Sequence, residues 1–72
     1  MTDTARLNDA IKKKGLKKGY LAERIGLTRQ GFSNCLNNRA EFKASQIQTL
    51  CEELDIKDPA ERTAIFFAPL GA

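Results

Sequence analysis

The sequence predicts an all-α domain, a compact bundle of five short helices, on three observations. Apolar residues recur at helical spacing throughout, and no stretch alternates as a half-buried strand would. Most apolar clusters are punctuated by Asp, Ser or Thr ahead of them or by Gly, Asn or Pro behind them, the residues that start and stop helices. At 72 residues the chain has room for one core, and short helices sharing it are the most economical way to fill it. Residues 1–72 are therefore expected to form a single domain.

Asp3 or Thr4 can cap a first helix in which Leu7, Ala10 and Ile11 share a face. Lys12 to Lys14 suit the negative end of that helix, and Gly15 followed by Leu16 reads as a left-handed stop. A second helix of about two turns carries Tyr20, Leu21, Ala22 and Ile25 and ends at Gly26. Thr28 caps a third, with Phe32, Cys35 and Leu36 at i, i+3 and i+4, running out in Asn37-Asn38; Phe42 is expected to pin the following loop to the core. The fourth helix repeats Ile47, Leu50, Cys51 and Leu54, with Ser45 and Gln48 spaced as a capping box. Asp58, Pro59 and Glu61 start a fifth, expected over about 58–68.

Composition excludes several classes of function. The apolar stretch from Ala64 to Leu70 is far shorter than the roughly 20 residues of a membrane helix, and no secretory core follows the N-terminus, so a cytoplasmic protein with no membrane partner is expected. The chain has no His and no CxxC, and Cys35 and Cys51 stand sixteen positions apart, which excludes the usual zinc sites and cysteine-histidine nucleophiles. The expectation is no metal, no cofactor, no small-molecule substrate and no enzyme activity. Both cysteines lie on apolar stripes and read as reduced core residues. The net charge of +3 divides unevenly: residues 1–43 hold ten Lys or Arg against four Asp or Glu, and residues 44–72 hold two against five. A +6 part and a −3 part follow, the first suited to an anionic partner. Glu52, Glu53, Asp55 and Asp58 in the second part read as a solvated acidic face.

The informative segment is 18–37: a short helix, Gly26, apolar Leu27, the Thr28 cap and a second short helix, which is the pattern of a helix-turn-helix. Ala22 is small where the helices cross, and Ile25, Leu27 and Phe32 fill the joint. Outside its core positions, the second helix is polar and uncharged apart from Arg29. At about 100° per residue, Gln30, Ser33, Asn34 and Asn37 share one face. An ordinary solvated face more often carries Glu and Lys. Amide and guanidinium side chains instead donate and accept toward base edges in two-point contacts.

On these residues the sequence resembles the lambda-repressor-like helix-turn-helix family, the Cro or XRE type, over about residues 4–56. The resemblance implies a double-stranded DNA-binding transcriptional regulator whose third helix enters the major groove. It puts Arg29, Gln30, Ser33 and Asn34 on base-reading positions, and Lys17, Lys18, Thr28, Asn37, Asn38, Arg39 and Lys43 on backbone-contacting ones. The tail resembles that of small phage or prophage regulators, which implies a repressor acting in the cytoplasm at the bacterial nucleoid. Lys17 and Lys18 depart from the family's usual polar cap and Gln, and Gly19 weakens the helix start. A bound phosphate offsets the unfavourable positive charge there.

Ile65, Phe66 and Phe67 are consecutive large apolar residues, and one helix cannot turn all three toward one core. They are expected to combine core packing with a homodimer contact, which suits a two-fold symmetric operator with half-sites about 34 Å apart. The alternative is a protein-interaction module, antitoxin-like or antirepressor-like, that uses the same Ile65–Phe67 patch.

Overall fold

The computed structural model describes residues 1–69 and contains five α-helices: α1 (Thr4–Lys14), α2 (Lys18–Arg24), α3 (Arg29–Leu36), α4 (Ala44–Glu53) and α5 (Pro59–Phe66). The last three positions of the expected domain, 70–72, lie outside the described residues. The all-helical reading holds, with α2 against α3 and α4, and α1 against α5.

Three helices start on the caps the sequence suggests. Asp3 Oδ1 accepts from the Arg6 N–H, Thr28 Oγ1 from the Gly31 N–H at 3.0 Å, and Asp58 Oδ1 from the Ala60 N–H. The start of α4 differs from expectation. Its N-cap is Lys43, and Gln46 Oε1 accepts from the Lys43 N–H at 2.8 Å, so Ser45 and Gln48 lie inside the helix and form no capping box. The fifth helix closes at Phe66, with Phe67 as its cap, two residues before the expected end.

One device stops the first four helices. Each runs into a residue with positive φ, at Gly15, Gly26, Asn38 and Asp55. In each case the next N–H bonds back five residues: Leu16 to Ile11, Leu27 to Ala22, Arg39 to Asn34 and Ile56 to Cys51. These reversals use up carbonyls that a helix end leaves unpaired, and three of the four turn an apolar side chain, Leu16, Leu27 or Ile56, back onto the core.

All five helices supply the core. Leu7, Leu21 and Leu50 are completely buried at its centre, and Phe32, Phe42 and Phe66 form an edge-to-face chain with both centroid separations at 5.9 Å. Phe42 thus pins the α3–α4 loop as expected. Cys35 and Cys51 are buried and unpaired, and burial pushes both thiols up, which keeps them protonated and unreactive.

Tyr20, carried by α2 as expected, does not join this core. It is exposed, and its hydroxyl donates to Glu53 at 2.9 Å, where Arg24 Nε also donates at 2.9 Å. These bonds hold the Glu53 carboxyl below the ordinary carboxylate value, Arg24 first and Tyr20 second, and tie α2 to the end of α4. Glu53 therefore differs from the freely solvated acid the sequence suggested.

The first three residues form a strap. The Asp3 N–H donates to the Ile65 carbonyl at 2.6 Å, and the Ala68 N–H donates to the Met1 carbonyl at 2.9 Å. Asn38 completes it: its Oδ1 accepts from the Thr2 N–H at 3.1 Å and its Nδ2 donates to the Thr2 carbonyl at 3.0 Å. The strap joins the end of α5 to the end of α3.

Candidate nucleic-acid interface

The turn at Gly26 sets α3 on the buried edge of α2. Its core residues Phe32, Cys35 and Leu36 then force the opposite side outward. Arg29, Gln30, Ser33 and Asn37 are exposed on that side and Asn34 is half-buried. Gln30 Nε2 donates to Asn34 Oδ1 at 3.0 Å, and Asn37 Nδ2 donates to the Ser33 carbonyl at 2.8 Å. The first bond fixes the two amides against each other while leaving Gln30 an acceptor and Asn34 a donor pair facing outward. Such a row can both donate to and accept from a flat polar edge.

Beside it, α1, α2 and α3 enclose an open cleft of about 420 Å³, floored by Phe32 and Leu36 and rimmed by Asn8, Lys18, Gly19, Arg29, Ser33 and Asn37. The rim carries two cations and no carboxylate. Lys17 is the N-cap of α2 and makes no capping bond, so the first N–H groups of that helix have no side-chain acceptor there. Arg39 and Lys43 lie exposed on the loop that follows α3.

The ion pairs of the described residues engage Arg6, Lys13, Arg24, Lys57 and the terminal amine. Lys17, Lys18, Arg29, Arg39 and Lys43 take part in none of them, so the cations singled out in the sequence keep their charge outward. Thr28 spends its oxygen on the cap and retains its hydroxyl proton for another acceptor. Asn38 is different: both ends of its amide are bonded to Thr2, which gives it a structural role in the strap. Ile65 and Phe66 are buried at 2% and 4% exposure, so Phe67, at 56%, is the member of that run that can meet another molecule.

Two rim residues escaped the sequence reading as site residues. Gly19 left a signal, a helix start weakened for no local benefit. Asn8 left none, although its buried Oδ1 has no hydrogen-bond partner among the described residues.

A two-helix unit with an uncharged amide face beside unpaired cations defines a helix-turn-helix nucleic-acid-binding domain. The chain belongs to the Cro/C1-type HTH DNA-binding domain family, whose model matches residues 6–61. Comparisons with curated proteins and with solved structures gave no match. The family supports a DNA-binding regulator with DNA as its partner, and it is typically non-enzymatic. No helix among the described residues is long and apolar enough to cross a membrane.

Proposed function

We propose that this chain is a sequence-specific transcriptional repressor of phage or prophage type that reads double-stranded DNA with α3 and acts as a homodimer in the bacterial cytoplasm. The observation that carries the reading is the pairing of an outward, uncharged polar row, Gln30, Ser33 and Asn34, with cations that enter none of the ion pairs of the described residues. Amides contact adenine at two points in the major groove, whereas the cations supply affinity for the phosphate backbone without regard to sequence. Lys17, Lys18, Thr28, Asn37, Arg39 and Lys43 take the backbone role.

The eight residues of α3 span about 12 Å, enough for only a few base pairs. Specific control therefore needs a second copy on a second half-site, and Phe67, the most exposed large apolar residue among those described, is where the copies would meet. A partner protein bound through Ile65 and Phe66 is less well supported, because both are spent on the chain's own core.

Selection of bound duplexes from a random pool tests the reading. A two-fold symmetric consensus is expected, and Asn34→Ala should lose about 1 to 3 kcal/mol on it while relaxing preference at one position in each half-site. Recovery of unenriched sequence by the wild type would contradict specific recognition.

A further inference from the structure

Building on the DNA-binding reading, we infer that Arg29 is a phosphate-contacting residue whose guanidinium is seated by Gly19 beside Lys18, and that it is no reader of base edges. The geometry at Gly19 carries this. A Cβ built there would lie 3.2 Å from Arg29 Nη2, 3.4 Å from Nε and 3.6 Å from Cζ. The guanidinium is thus turned back across α2 at close range. An arginine reading bases would extend outward with Gln30 and Asn34.

The glycine explains itself in the same way. Its backbone is in the ordinary helical region, since the positive-φ glycines are Gly15 and Gly26, so no turn demands it. What it provides is space, at the cost of weaker helix formation.

No carboxylate of the described residues pairs with the seat. Arg29 takes part in none of the ion pairs or side-chain hydrogen bonds of the described residues, and it shares the cleft rim with Lys18 and no carboxylate. Two cations at one opening repel each other unless a negative group lies between them. A backbone phosphodiester fits: guanidinium offers two parallel donors to its oxygens and ammonium adds a point charge. Sequence discrimination then falls to the uncharged residues Gln30, Ser33 and Asn34.

Titrating a selected duplex and a random-sequence duplex of equal length over a salt series separates the possibilities. Arg29→Ala should weaken binding to both duplexes by a similar factor and make the salt slope shallower by about one. Gly19→Ala, whose methyl pushes the guanidinium back by a few tenths of an ångström, should give the same signature in smaller measure while the melting temperature is kept or raised. Asn34→Ala should weaken binding to the selected duplex alone. Loss by Arg29→Ala on the selected duplex only, with the slope unchanged, would make Arg29 a base reader and overturn the inference. Binding by Gly19→Ala identical to wild type would remove the seat. Failure of the DNA-binding reading itself is distinguishable, because the wild type would then bind neither duplex in a salt-dependent way.

Discussion

Asn38 shows how one side chain can serve backbone geometry and long-range closure together. At φ 57° it adopts the left-handed conformation that ends α3, and its amide clasps Thr2 from 36 positions away in the chain. Asn38→Ala loses two hydrogen bonds worth about 0.5 to 1.5 kcal/mol each and adds about 1 kcal/mol of left-handed strain, so it should destabilise by about 2 to 4 kcal/mol. Asn38→Gly keeps the conformation and should lose only the bonds. Denaturant melts of the two variants measure the difference, and equal stability of both with wild type would remove the clasp. The Asn37-Asn38 pair marked a helix end in the sequence, but nothing local could reveal Thr2 as the partner. Asn38 was therefore legible as a stop, whereas its clasp on Thr2 was not. For Gly19 the propensity cost was visible, while the close approach of Arg29, ten positions later, was not.

At the scale of elements, periodicity gave every helix because each buries a stripe at 3.6-residue spacing. The ends were legible where a cap acts within three residues, as at Thr28 and Asp58. The start of α4 was missed because Gln46 reaches the Lys43 N–H without the Ser or Thr partner that makes a capping box recognisable. The partner of Tyr20 was not legible, because an aromatic ring at a helix edge can turn its hydroxyl to a distant acid, here Glu53 on α4. That contact gives a pH dependence. A carboxyl held below its ordinary value contributes stability that is full above about pH 4.3 and is lost as pH falls through the lower folded value. Melting temperatures of wild type and Glu53→Gln should therefore differ at neutral pH and converge in acid. A gap that stays constant down to about pH 2 would show that the Arg24 and Tyr20 bonds do not favour the ionised form.

For the whole molecule, the uneven charge was the most informative quantity in the sequence. The basic part contains α1, α2, α3 and the loop after them, and the acidic part contains α4 and α5. A dipolar molecule of this kind meets a polyanion with its basic side first. The tail was only half legible: three consecutive apolar residues required at least one exposed, but which one depends on the aromatic chain that absorbs Phe66. Phe67→Glu should leave the fold intact and shift sedimentation toward the monomer at high concentration. Identical profiles for wild type and variant would remove Phe67 from any dimer contact. The central claim, that the unpaired cations meet DNA phosphates, is tested most directly by the salt dependence of duplex binding by the wild type. If Lys17, Lys18, Arg29, Arg39 and Lys43 each neutralise one phosphate, the logarithm of affinity should fall against that of salt with a slope of about −4.5 per bound chain. No binding, or affinity independent of salt, would contradict it.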